Sequence, residues 1–216
     1  MDYRALKELG RRGEGHQLEF KLKSAHPEKI IREVVAFANT DGGLLLIGVG
    51  DDKSVTGLKY ADEDEYLLCR AIDKHCFPHI QYAVHRVGLP DERDVLVFSV
   101  PRSVGRPHYV VPDLNRPDEK KAYVRVADQS LQASREMREI LKGERLARDV
   151  RFCYGEKEAA LMHHLGQHES ITVEGFAAIA NIPRKIASRT LVLLVLANVL
   201  RVQPGEMLDR YTSRVV

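Results

Sequence analysis

Leu18, Phe20 and Leu22 alternate with Gln17, Glu19 and Lys21, the period of two that predicts a half-buried strand. On that register Glu19 and Lys21 share the polar face. Pro27 follows, in a place that a first helical turn tolerates. Ile30, Ile31, Val34, Val35 and Ala38 then recur at helical spacing and predict an amphipathic helix over 28–38. Asn39-Thr40-Asp41-Gly42-Gly43 supplies the turn that ends it, because glycine takes positive φ without steric cost. Leu44 to Val49 is a short continuous apolar run, as in a buried strand. Beyond the polar turn at 51–54, Ser54 to Leu58 reads as the return strand of a hairpin.

Tyr66, Leu67, Ala71 and Ile72 give one face of a second helix over 62–76, and Pro78 stops it. Strands are predicted at 80–88 and 94–101. Residues 102–121 are rich in Pro, Asp, Asn and Arg and read as a long loop with a short strand at 109–111. A strand over 122–127 and a helix over 134–142, with Ser134 as its N-cap, follow. The charged stretch 142–156 has no apolar face and predicts the domain boundary, giving domains 1–145 and 155–216. Past it come helices at 156–166, 172–180 and 184–199 and a basic hairpin-like tail over 200–214. That is the order of a winged helix-turn-helix. The fold expected is α/β, a mixed sheet with flanking helices, followed by a small winged-helix domain.

Composition narrows the picture modestly. A chain of 216 residues can bury one good core and a smaller second one. Its 44% hydrophobic and 30% charged content is that of an ordinary globular protein. No apolar run approaches the roughly 18 residues that span a bilayer, and the first residues lack the apolar core of a signal peptide. Three cysteines, an odd and scattered set, fit a reducing compartment. A cytoplasmic protein without membrane partners is therefore expected. A net charge of +2 does not by itself argue for a polyanionic partner; clustering of cations has to.

The candidate chemistry begins at the first strand. If the strands at 17–22 and 44–49 are neighbours, Glu14, Glu19 and Asp51 converge on one sheet edge. Hard divalent cations such as Mg²⁺ or Mn²⁺ take oxygen ligands of this kind. A metal so held, with Lys21 beside it, can polarise a phosphodiester. The plainer alternative is that Glu19 and Lys21 form a solvated strand face. GVGDDKS at 48–54 departs from a phosphate-binding loop, since Asp52 rather than Gly precedes Lys53 and a strand follows, and no nucleotide cofactor is expected. Cys69, His75, Cys76 and His79 cluster but lack zinc-ligand spacing.

In the second domain Arg184, Lys185, Ser188 and Arg189 lie at the start of the last helix, where a recognition helix meets the major groove. Arg201, Arg210 and Arg214 on the wing could touch phosphates. The apolar run LVLLVL suggests burial against a partner subunit, hence a homodimer. Lys21, Lys23, Lys29 and Arg32, with Arg102, Arg106, Arg116, Lys120 and Lys121 of the long loop, are further candidates for a phosphate backbone.

EGHQLEFK, then AFANTDGGLLLIGVGDD and TGL, closely resembles the Schlafen AlbA-2 domain, and AYVRVADQSLQAS resembles that family's closing segment. The resemblance runs from Arg12 to Gly143. It implies an α/β fold and a nucleic-acid-related role, and some members are endoribonucleases that cut structured RNA with three carboxylates. Carried over by motif, those carboxylates fall on Glu14, Glu19 and Asp51, with Lys21 as the adjacent base. This chain carries one such unit where the nuclease Schlafens carry two, and Gly50 stands where many relatives have an acid. The leading expectation is thus a nucleic-acid-binding protein, a DNA-binding transcriptional regulator gripping DNA through the winged helix, with RNA as a candidate partner of the first domain. The alternative is a Mg²⁺- or Mn²⁺-dependent endoribonuclease.

Overall fold

The computed structural model describes residues 1–146 and 153–214, so residues 147–152 of the charged stretch lie outside the described residues. The chain forms two compact units, Met1–Gln132 and Ala133–Val216.

In the first unit, helix α1 (Tyr3–Arg12) precedes strand β1 (Leu18–Lys21), helix α2 (Pro27–Asn39) and strand β2 (Gly43–Ile47). Helix α3 (Ala61–His75) runs into the two-residue strand β3 (Cys76–Phe77), and strands β4 (Ala83–Gly88) and β5 (Asp94–Val100) follow. Strand β6 (Tyr109–Val110) lies in the long loop; β7 (Tyr123–Val126) and β8 (Gln129–Gln132) form a closing hairpin. The main sheet has the order β1-β2-β5-β4, with β1 parallel to β2 and the other pairings antiparallel. Parallel neighbours need a crossover, and α2 provides it. α2 therefore lies on one face of the sheet, where Val34, Val35 and Phe37 are fully buried with Leu45, Ile47 and Phe98. α1 covers the opposite face, where Leu6 packs with Leu18, Phe20 and Val97.

That double cover changes the nature of β1. The alternation at 17–22 predicts one dry and one wet face, yet Leu18, Glu19 and Phe20 are all buried, while Leu22, past the strand end, is 44% exposed. A short polar helix at the N-terminus, not anticipated from the pattern, is the reason. α1 takes the side of Leu18 and Phe20, leaving Glu19 to face the other, equally filled side.

The α2–β2 turn depends on glycine. Gly42 has φ +73°, and a Cβ there would lie 2.7 Å from the carbonyl oxygen of Val100. At Gly43 a Cβ would meet the Phe37 ring at 2.5 Å. Asn39, buried at the last turn of α2, donates to the carbonyls of His108 (3.0 Å) and Tyr123 (2.9 Å) and accepts the His108 N–H (2.7 Å). One side chain thereby fastens α2 to both strands of the loop region.

The second unit begins earlier than composition suggests. Helix α4 (Arg135–Arg145), expected to close the first domain, packs on helix α7 (Arg184–Leu196) and belongs to this unit. The charged 142–156 stretch thus marks the end of α4 and not the change of unit. Helices α5 (Glu156–Gln167) and α6 (Val173–Ile179) precede α7, and strands β9 (Leu200–Gln203) and β10 (Arg210–Ser213) form the closing hairpin. Ile171 bridges Tyr211 of β10, which ties the α5–α6 connection to the hairpin. Leu161, Phe176, Leu191, Leu194 and Tyr211 make the core. The apolar run of α7 is met largely within the unit: Leu191 and Leu194 are buried, and Leu196 lies so close to Gly143 of α4 that a Cβ there would sit 2.4 Å from it.

Candidate functional site

The acids of the first unit share one neighbourhood at the edge strand β1, and two of the three predicted, Glu14 and Glu19, are already engaged. The Glu19 side chain, 7% exposed, accepts from Lys21 and from Arg125 on β7. The Arg125 guanidinium is 1% exposed and also bonds Glu33 of α2 at 2.8 Å and the Gly15 carbonyl at 2.9 Å. Ser130 of β8 donates to Glu33 as well. A buried guanidinium needs its fork of donors satisfied, and here two carboxylates and a carbonyl do so. Burial pushes the Glu33 carboxyl above its ordinary range and the Glu19 charge pushes the same way, against the pull of Ser130 and Arg125.

Glu14 accepts the Phe20 N–H at 2.9 Å, holding the approach to β1 against the strand itself. Partial burial raises its pKa, and so do the charges of Glu19 and Asp51, so the three acids do share one neighbourhood. Asp51 is exposed in the turn after β2. Its neighbour Asp52 is held by the Ser54 hydroxyl and backbone N–H, which lower its pKa. The turn leads to an antiparallel Val49–Val55 bridge and not into a helix, so 48–54 lacks the helix N-terminus of a phosphate-binding loop.

A divalent ion needs free carboxylate oxygens aimed at one point. Both Glu19 oxygens are taken by cations and one Glu14 oxygen by the backbone. Among the described residues no group of three or more His, Cys, Asp or Glu side chains is placed to hold a metal ion. The Glu14–Glu19–Asp51 set does not fit a metal in this arrangement, and the Cys69–His79 cluster gives no zinc site. Arg125 and Glu33 decide the matter, and neither belongs to a motif that marks it in the sequence. The signal was present: Arg125 interrupts the apolar alternation Tyr-Val-Arg-Val as Glu19 interrupts Leu-Glu-Phe.

The remaining cations divide into tied and untied. Lys21 also donates to the Phe20 carbonyl (2.8 Å), while Lys23 is exposed. In the second unit Arg184 pairs with Glu174 at 2.7 Å, and Ser188 donates to the buried Glu136 of α4 at 2.6 Å. Lys185 and Arg189 are exposed, with no ion pair to an acid among the described residues. They line a groove of about 530 Å³ between α4 and α7, together with Arg135, Arg184 and one acid, Glu139. On the hairpin Arg201 is exposed, Arg210 reaches Ser170 (3.3 Å) and Arg214 bonds Asn198 (2.5 Å). α7 therefore presents Lys185 and Arg189 outward, while Ser188 and Arg184 fasten it to its own unit.

The Schlafen, AlbA_2 family profile matches residues 14–134, more than half of the chain. The chain belongs to the Schlafen AlbA_2 family, and the match closes where the first unit does. No functionally curated protein matches. Among solved structures, the chain is similar to the N-terminal domain of a RecG-related protein from Nitrosomonas europaea. The TM-score is 0.42 at 23% identity, over 51% of this chain and 81% of that one. It is also similar to the DIP2311 protein from Corynebacterium diphtheriae, with TM-score 0.40 and 19% identity over 70% of this chain and 32% of that one. No helix among the described residues is long and apolar enough to cross a membrane.

Proposed function

We propose that this chain is a nucleic-acid-binding protein and that its second unit is a winged helix gripping duplex DNA, as in a transcriptional regulator. The observation that carries this reading is the groove between α4 and α7, where Arg135, Lys185 and Arg189 stand with a single acid, Glu139. Cations without acid partners can release counterions from a phosphate backbone. The hairpin adds Arg201 and Arg210 on the side of a wing. Because Ser188 and Arg184 hold α7 to Glu136 and Glu174, α7 is better suited to gripping phosphate through Lys185 and Arg189 than to reading many base edges. Membership of the Schlafen AlbA_2 family supports a nucleic-acid-related role for the first unit.

The endoribonuclease reading has no comparable support, since Glu19 is ion-paired on both oxygens. A homodimer would suit a palindromic site, and sedimentation measures it directly. The test of the proposal is duplex DNA affinity for the wild type and for the Lys185→Ala, Arg189→Ala, Arg201→Ala triple variant, run beside structured RNA with Mg²⁺ or Mn²⁺. The reading expects duplex binding that the triple variant loses with its helical spectrum intact, and no RNA cleavage. Retained affinity in the variant removes the groove. Cleavage that Glu19→Gln abolishes, in a folded variant, replaces binding with catalysis.

A further inference from the structure

A cavity of about 630 Å³ lies in the first unit between α2, α3 and the loop strand β6, away from the acid cluster. Its floor is apolar: Ile31 and Val110 are buried, Ala71 contributes a methyl group, and Tyr123 presents its ring. Its walls are cationic. Arg32 comes from α2, Arg70 and Lys74 from α3, and Lys121 from the segment before β7. All four are exposed, and none is ion-paired to an acid among the described residues. The one acid on the lining, Glu28, lies 3.3 Å from His26. His75, also on the lining, is turned by its Nδ1 towards the Val111 carbonyl at 2.8 Å.

This arrangement concentrates positive charge around one concavity. Arg70 and Lys74 are four residues apart on one helix, so their like charges repel along the α3 face. Arg32 and Lys121 bring two more positive charges to the same concavity. Arg125 and Arg86, by contrast, are each paired with two acids, and four cations without acid partners around one cavity point to an anion from outside. Two guanidinium forks and two ammonium groups favour phosphate, which accepts bidentate Arg bonds and several charges at once. The volume falls in the range of small-molecule sites. Arg32 stands 5.8 Å over the Tyr123 ring, which holds its guanidinium at the edge of the apolar floor.

We propose that this cavity binds a free nucleoside di- or triphosphate, its base on the Ile31–Ala71–Val110 floor and its phosphates on Arg70, Lys74 and Lys121, with Arg32 between the two. The site is distinct from the loop at 48–54 and from the groove of the second unit, and it does not depend on duplex binding. Polyphosphate charge is required by the number of cations, and a planar body by the apolar floor.

Calorimetry on the full chain tests this with ATP and GTP as probes, pyrophosphate for charge alone and adenosine for body alone, and a short single-stranded oligonucleotide as the competing source of the same groups. Saturable binding of one nucleotide per chain is expected, with pyrophosphate and adenosine each at least about tenfold weaker. Arg70→Glu and Lys121→Glu, both at exposed positions, should weaken nucleotide binding by about tenfold or more each, and Ala71→Leu should do so by filling the floor. Lys53→Ala should leave binding unchanged. Absence of binding by either nucleotide at about 1 mM would overturn the proposal. So would affinity unmoved by the three variants, pyrophosphate binding as tightly as ATP, or capture of the oligonucleotide without the free nucleotides.

Discussion

Glu19 on β1 and Arg70 on α3 are both charges set among apolar neighbours, and the protein uses them in opposite ways. Glu19 is 5% exposed and held by Arg125 and Lys21, whereas Arg70 stands open to solvent beside three more cations and a cavity. The first arrangement is closed: every strong donor and acceptor has its partner inside the fold. The second is open and waits for a partner of opposite sign. The same division separates the two faces of α7, where Ser188 and Arg184 are engaged by α4 and α6 while Lys185 and Arg189 point outward. A charge's role follows from what neutralises it, more than from the motif in which it occurs.

The largest effect that can break this comparison is at Arg125. Arg125→Ala strands Glu19 and Glu33 in a buried setting, and removing one partner of such a network costs about 3–5 kcal/mol. Urea unfolding should show the first unit severely destabilised. A variant as stable as the wild type would mean that the network is not holding the fold. Next comes Asn39, whose three bonds join α2 to the His108 and Tyr123 backbones. Asn39→Ala leaves buried backbone groups unmet, at about 1–3 kcal/mol, read as a fall in the urea midpoint with little change in slope.

A smaller effect is pH-dependent. Burial lowers the His108 pKa, opposed by its bond to the Pro78 carbonyl and aided by the nearby His79 charge. A base whose folded pKa is depressed supports the fold fully above its ordinary value of 6.5 and progressively less as the pH falls through it, because the unfolded chain takes the proton first. The wild type should lose stability on acidification below neutrality, and His108→Gln should show a flatter curve from a lower start. Equal slopes in the two proteins would place the acid sensitivity elsewhere.

Much of the architecture was legible in the sequence. Helical spacing over 28–38 and 62–76 located α2 and α3, and the turn Asn39–Gly43 marked where the chain reverses into β2. The order of three helices and a hairpin after residue 155 was equally readable. What failed was reading solvent from alternation at 17–22, because β1 is covered on both faces and the second cover, α1, has a mostly polar sequence. The acid cluster was foreseen as a neighbourhood, since Glu14, Glu19 and Asp51 do influence one another. Its neutralisation was not, because Arg125 is 106 residues away from Glu19 in the chain and only the fold brings the two together. The same holds for α4: its own pattern gives a helix, but Gly143 against Leu196 and Glu136 against Ser188 assign it to the second unit.

The salt dependence of duplex DNA binding tests the central claim most directly, that untied cations carry the interaction and tied charges carry the fold. Plotted as log affinity against log salt, the wild-type slope should fall by roughly 0.9 for each phosphate contact removed in Lys185→Ala and again in Lys185→Ala with Arg189→Ala, while Glu19→Gln keeps the full slope wherever it remains folded. An unchanged slope in the double variant, or a slope reduced by Glu19→Gln alone, would contradict the account.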